Sequence, residues 1–323
     1  MPASNRRRAK SLSNGRPPLS QKTSTSLSSK ATRTLIRTHH NLEKAHARAL
    51  NTGDSSTAET LSAEIQERGG LRLYQRASTI GQSASRGGDS SKILVQWLEE
   101  LLPSSPAPAP SAPSPLALQS SRNSAPALSL LDVGCLNPEN HCARTKLFDH
   151  GRGVVRIDLR SAHPLIQQQD FMSRPLPSGD AERFDVLSLS LVLNYVPDPV
   201  GRGEMLQRTR EFLRVPGDGG DVRGSDGKGG TGMAQKRARV LPCLFLVLPA
   251  PCVTNSRYLT EERLEEMMGE LGFALVKRKL SAKLVYFLWR YDGSNTTREE
   301  KEVFPKKEIR PGRTRNNFCI VLR

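Results

Sequence analysis

The most constraining stretch of this chain begins at residue 128, where short apolar runs start to alternate with polar turns and helical segments. Leu128–Val133 is a short, mostly apolar run of strand length, broken only by Ser129 and Asp132, the pattern of a buried parallel strand. Gly153–Leu159 reads as a second strand, Leu165–Gln169 as a short third, Phe184–Leu193 as a fourth and Cys243–Leu248 as a fifth stopped by Pro249. Helical segments fall at about Cys142–His150, at Arg202–Leu213, and from a Thr260 cap to Leu271, where Gly272 ends the last one. Strands separated by helices predict an α/β fold with a mostly parallel sheet and helices on both faces. Phe273–Lys277, Leu284–Trp289 and Phe318–Leu322 are late strands, candidates for an antiparallel edge strand.

In such sheets a ligand binds outside the carboxyl ends of the strands. Asp132-Val133-Gly134-Cys135 closes the first strand, and Gly134 lets backbone approach a ligand closely. Asp158 lies 24 residues beyond Gly134 at the second strand's tip, the place of an acid that accepts from ribose hydroxyls. Asp170-Phe171 follows the third strand, a carboxylate for an adenine amino group and a ring for its face. Ser188 and Ser190 alternate with apolar neighbours on the fourth strand, and Asn194-Tyr195 stands at its end. Taken singly, Asp158 is equally a solvated acid and Asn194 a turn residue, and Asp132 has a lesser alternative as a turn former; their order along the chain carries the signal. The first turn lacks G-x-G-x-x-G, since Leu136-Asn137-Pro138 stands where the later glycines would be. That argues against NAD and ATP, whose phosphates need those glycines, and is tolerated by S-adenosylmethionine, which has no phosphate.

Outside this core the composition changes. Apolar residues make up only 36% of the 323 residues, so part of the chain is expected to lie outside any core. Residues 1–50 hold eleven Lys/Arg against one acid, Glu43, and read as a disordered basic arm in which Arg6-Arg7-Arg8-Ala9-Lys10 is a nuclear-localisation or RNA-contact candidate. Residues 51–102 read as a helical N-terminal extension, ending in an amphipathic helix at 90–102 with Asp89 or Ser90 as its cap. Residues 103–127 are Pro, Ala or Ser at 20 of 25 positions, a low-complexity linker. Residues 128–323 form the expected ligand-binding domain, interrupted at 216–235 by a loop insertion with eight glycines. The net charge of +16 favours a polyanionic partner such as nucleic acid. Five cysteines without a C-x-x-C pair support neither a disulfide framework nor a zinc site, so no metal is expected. No apolar run is long enough to span a membrane, and none is expected as a partner.

A longer set of motifs carries a resemblance. Tyr74-Gln75-Arg-Ala-Ser-Thr-Ile-Gly81-Gln82, Gly87-Gly88-Asp89-Ser90-Ser-Lys92, Leu131-Asp132-Val-Gly134, Arg156-Ile157-Asp158-Leu159, Gln169-Asp170-Phe171-Met172 and Ser188-Leu-Ser190-Leu-Val-Leu-Asn194-Tyr-Val-Pro197 resemble the fungal 25S ribosomal RNA adenine-N(1)-methyltransferase family. Arg202-Gly-Glu-Met-Leu206, the Val247–Tyr258 segment and Arg315–Leu322 resemble it too. The resemblance implies a Rossmann-like class I methyltransferase that uses S-adenosylmethionine to methylate N1 of an adenine in large-subunit rRNA. It implies a pre-ribosomal particle as partner and a location in the nucleus and nucleolus. It places Gly134, Asp158, Asp170, Phe171 and Ser190 on the cofactor, and leaves Asn194 and Tyr195 as candidates for positioning the base. Animal relatives resemble S-adenosylmethionine sensors in nutrient signalling, so a non-catalytic sensor is the alternative.

Overall fold

The computed structural model describes residues 28–81, 89–102, 128–148, 153–159, 161, 163–216, 239–294 and 303–323. Its centre is one seven-stranded sheet: β1 (Leu130–Val133), β2 (Val154–Asp158), β3 (Gln167–Gln168), β4 (Val186–Ser190), β5 (Cys243–Pro249), β6 (Phe273–Leu280) and β7 (Leu284–Tyr291). The spatial order is β3-β2-β1-β4-β5-β7-β6. β1 to β5 pair in parallel, while β7 runs antiparallel to both β5 and β6. The single antiparallel strand is therefore β7, as Leu284–Trp289 suggested, and it lies second from the edge, with β6, parallel to β1–β5, outside it. Phe318–Leu322 is not a strand of the sheet; it makes only an isolated bridge from Leu322 to Phe304. Its apolar residues nevertheless read as a strand because Phe318, Ile320 and Leu322 are buried in the core.

Period-2 alternation divides the strands between two cores. Leu187, Leu189, Leu244, Leu246, Phe287 and Trp289 face one side, against α5 (Pro199–Phe212) and α6 (Glu261–Glu270). Val186, Cys243, Phe245 and Leu288 face the other, against Leu94, Trp97 and Leu98 of α4 (Ser91–Leu101). Each fully buried side chain of this size contributes about 1.5–3 kcal/mol. Asp198 caps α5 by accepting from Gly201 N, and Thr260 caps α6 by accepting from Arg263 N. Asp89 Oδ1 accepts from Ser91 N at 2.6 Å, whereas Ser90, the residue before α4, makes no side-chain cap bond. Of the helix expected over 142–150, the described part, up to Phe148, is two 3-10 turns, His141–Ala143 and Lys146–Phe148. Leu147 O accepts from Leu128 N at 2.8 Å, which holds the second turn at the foot of β1.

The N-terminal reading needs two corrections. Half of the supposed disordered arm is α1, Ser29–Asn51, capped by Ser28, whose side chain accepts from Ala31 N. It packs with α2 (Ser55–Glu67) and α3 (Gly70–Gly81) through an apolar side that includes Leu35 and Leu42, which a charge-weighted reading overlooks. α4 belongs to the sheet domain, because it closes one of the two cores. Residues 1–27, the linker at 103–127 and most of the glycine-rich insertion lie outside the described residues. The last two enter before β1 and before β5, at the amino ends of those strands.

Candidate active site

β1 sits between β2 and β4, so connections diverge on its two sides and a crevice opens over the carboxyl ends of these three strands. Gly134 turns the chain there. Its N–H and that of Cys135 both donate to Ile157 O, at 2.8 and 3.1 Å. Its φ is +74°, and a Cβ would meet Val192 Cγ2 at 2.5 Å. Only glycine fits without moving the loop that follows β4.

Under this turn Asp132 is buried against the α4 side and accepts from Asn140 Nδ2 at 3.0 Å. Burial pushes its carboxyl pKa up, although Cys135, Ser188 and Asn140 hydrogen bonds pull against it. Asp132 is thus a buttress below the rim, not a group open to a ligand. Asp158, at the tip of β2, accepts from Gln75 Nε2 of α3 at 2.9 Å. Ser190, at the tip of β4, shares a 2.6 Å hydrogen bond with Ser90, which precedes α4. Leu191 then takes a left-handed φ of 59°, a conformation that costs about 1–2 kcal/mol outside glycine. Its N–H donates to Val247 O at 3.0 Å, so β5 holds the bend that turns the 191–198 loop over the rim.

In that loop Asn194 Oδ1 is buried and has no hydrogen-bond partner. Tyr195 meets Tyr74 edge to face, with centroids 5.4 Å apart, and Tyr74 stacks on His39 of α1 at 4.8 Å. Arg202 fixes the loop's far end. Its guanidinium donates to Val196 O, Pro197 O and Cys319 O and lies over the Phe318 ring.

Gly134, Asp158, Ser190, Asn194 and Tyr195 therefore gather around one rim. Asp170 lies exposed beyond β3 and accepts from Met172 N at 2.8 Å, closing its own turn. Phe171 is the exception. It is 3% exposed and packs on Phe212 at 5.2 Å in the core beneath α5, so its ring is not presented for stacking on a base. Sequence reasoning singled out Phe171 for following a strand, but side-chain direction put it in the core. It missed Gln75, Tyr74, Ser90 and Arg202 as site residues; all four lie in the resembling segments, and only distance in space shows what they touch.

The rim suits S-adenosylmethionine. A carboxylate at the β2 tip can accept from ribose hydroxyls, a side-chain-free Gly134 admits close approach, and Asn194 Oδ1 supplies a buried acceptor without a donor. Among the described residues there is no cluster of three or more His, Cys, Asp or Glu able to hold a metal ion. No helix of the described residues is long and apolar enough to cross a membrane.

Residues 59–320 match the family model described as 25S rRNA (adenine(2142)-N(1))-methyltransferase, Bmt2. A 25S rRNA adenine-N(1) methyltransferase of Schizosaccharomyces pombe is 35% identical over 88% of this chain and 89% of its own length. The 25S rRNA (adenine(2142)-N(1))-methyltransferase of Saccharomyces cerevisiae is 32% identical over 88% of this chain and 70% of its own length. Among solved structures, a Burkholderia thailandensis 1,6-didemethyltoxoflavin-N1-methyltransferase with bound S-adenosylhomocysteine aligns at 14% identity and TM-score 0.33, covering 51% of this chain and 72% of that one. A family 2 O-methyltransferase of Planctomyces limnophilus aligns at 15% identity and TM-score 0.31, covering 72% and 69%. With a seven-stranded sheet of Rossmann-like class I methyltransferase order and a family match over most of its length, the chain belongs to the 25S rRNA adenine-N(1)-methyltransferase family, whose methyl donor is S-adenosylmethionine.

Proposed function

We propose that the rim over β1, β2 and β4 holds S-adenosylmethionine and presents an rRNA adenine to it, with Asn194 and Tyr195 positioning the base. The observation that carries this reading is the buried, partnerless Asn194 Oδ1 on the same rim as Gly134 and Asp158. Gly134, Asp158 and Ser190 make the cofactor side, with Asp170 at its outer edge.

When bound, S-adenosylmethionine supplies a methyl group on a sulfonium, which leaves as a neutral thioether without further activation. Adenine N1 attacks with an in-plane lone pair, so no side chain has to remove a proton first. The chain's task is alignment of the base and exclusion of water. Asn194 Oδ1 accepts from the exocyclic amine of adenine, which pins the edge that carries N1. Guanine presents a carbonyl there, and two acceptors facing each other are rejected. Tyr195 offers a ring to the base, and its π face favours the positive charge that N1-methylation creates. A base in a helix must first leave its stack, at a cost of a few kcal/mol.

We infer a pre-ribosomal particle as partner and a location in the nucleus and nucleolus; the rRNA substrate, the +16 charge and Arg6–Lys10 support that reading. The test is incubation with labelled S-adenosylmethionine and unmodified 25S rRNA, followed by mapping of N1-methyladenine. The expected result is one modified adenine, with turnover lost in Asn194→Ala while cofactor affinity stays near that of the parent. Cofactor binding without N1-methyladenine at any position would sink it.

A further inference from the structure

The folded half of the basic arm carries a pattern that neither the sheet nor the rim explains. α1 holds five cations, Lys30, Arg33, Arg37, Lys44 and Arg48, and one acid, Glu43. At about 100° per residue, all five project within an arc of about 60°, and Glu43 falls about 110° from its middle. The side of α1 that packs inward, with Leu35, His39 and Leu42, lies opposite. Lys30, Arg33, Arg37 and Arg48 are exposed and Lys44 is half-buried. Among the described residues none of the five has a carboxylate within ion-pair distance; the only ion pair on the helix is His39–Glu43.

The helix that carries the stripe meets the rim through its inward side, where His39 stacks on Tyr74 and Tyr74 meets Tyr195. Lys44 lies within the field of Arg202, which anchors the 191–198 loop; burial first, then the Arg202 and Arg48 charges, push the Lys44 pKa down. A cation crowded by cations marks a place suited to an anion. From Lys44 the stripe runs outward about 21 Å to Lys30, at about 1.5 Å per residue. That length spans several consecutive phosphates of a nucleic-acid strand. Flanking the arc on one side, within about 40° of its edge, stand Thr34 and Asn41, both exposed and both usual phosphate partners. The arc shows no aromatic or aliphatic anchor of the kind a protein partner's pocket needs.

We propose that this stripe on α1 is the track along which the sugar-phosphate backbone of the rRNA substrate lies while the target adenine enters the rim; the proposal rests on the rRNA reading above. The contacts are charge contacts to phosphate and carry no sequence preference. They set affinity and register, not chemistry.

The test is steady-state methylation of a 25S rRNA fragment by the full chain over a salt series. A Lys30→Gln, Arg33→Gln, Arg37→Gln variant keeps good helix formers at exposed positions. Its KM for RNA is expected to rise on the order of tenfold at ~150 mM salt, and the slope of log affinity against log salt to fall by about 2. Its kcat and its S-adenosylmethionine affinity should match the parent. Lys30→Arg, Arg33→Lys, Arg37→Lys, which keeps the charges, should restore KM and slope. If the glutamine variant shows the parent's KM and slope on an RNA that the parent methylates, the proposal is overturned. Loss of pre-ribosome association with KM and slope unchanged overturns it too, and assigns the stripe to a protein. A parent that methylates no rRNA would instead sink the proposed function.

Discussion

Gln75 Nε2 donates to Asp158 Oδ1 across 2.9 Å, joining a helix of the N-terminal extension to the tip of a central strand 83 residues later. A carboxylate has about four lone-pair sites, so Gln75 orients Asp158 without exhausting it. Asp158→Ala should weaken S-adenosylmethionine binding by roughly 10²–10⁴-fold, since two charge-assisted hydrogen bonds of about 1.5–3 kcal/mol each are lost. Gln75→Ala should cost about tenfold, because the carboxylate remains but is no longer held. Calorimetric titration at fixed salt measures both. An Asp158→Ala chain that binds as tightly as the parent removes the ribose role.

Gly134 faces two separate penalties if it gains a side chain: a φ of +74° and a 2.5 Å approach to Val192 Cγ2. Gly134→Ala should therefore destabilise by about 2–4 kcal/mol. Adding Val192→Ala should relieve the steric part and leave the backbone part, giving a coupling that a double-mutant cycle resolves. Denaturant melts of the four chains decide it; strict additivity would show that Val192 is not the obstacle.

Arg202 ties three backbone carbonyls from two distant segments, Val196 and Pro197 before α5 and Cys319 near the C-terminus. Arg202→Met keeps much of the volume but leaves those carbonyls without their donor. We expect a loss of about 3–5 kcal/mol in stability. Because the same bonds hold the 191–198 loop, RNA turnover should fall even where the variant is still folded. A thermal melt and a turnover assay below the variant's midpoint separate the two effects.

Burial raises the Asp132 pKa. The folded chain then keeps this proton to higher pH than the unfolded chain. Stability from this group is full below the ordinary carboxylate range and is lost as pH rises through the raised value. Asp132→Asn has no such titration and can still accept from Asn140. Urea midpoints from about pH 4 upward should show the variant gaining on the parent as pH rises. A constant difference across the series would mean that Asp132 titrates alike in the folded and unfolded chains and that its pKa is not raised.

Strand identity was legible in the sequence because buried parallel strands are nearly continuous apolar runs; Cys243–Pro249 stands almost where Cys243–Leu248 was expected. Gly134, Asp158 and Ser190 were legible for a related reason, since strand tips in such sheets share one rim. Three readings failed where tertiary contacts decide. Phe318–Leu322 is as apolar as a strand but fills the core beside Arg202. Phe171 followed the right strand but turned toward Phe212. α1 was hidden by its own charges, because the composition of residues 1–50 averages a helix with the tract before it. No sequence periodicity reports that Gln75 and Tyr74 reach across to Asp158 and Tyr195.

The two low-complexity tracts join the sheet only at the amino ends of β1 and β5, while every rim residue stands at the opposite ends of the strands. The fold thus separates its tolerant edge from its exacting one. Length and composition are free to drift on the first between related chains, whereas a single residue inserted directly after β1 or β4 would displace Gly134 or Asn194. Sequence divergence in this lineage should accordingly accumulate as changes of loop length on one side of the molecule, with the chemistry carried unchanged on the other.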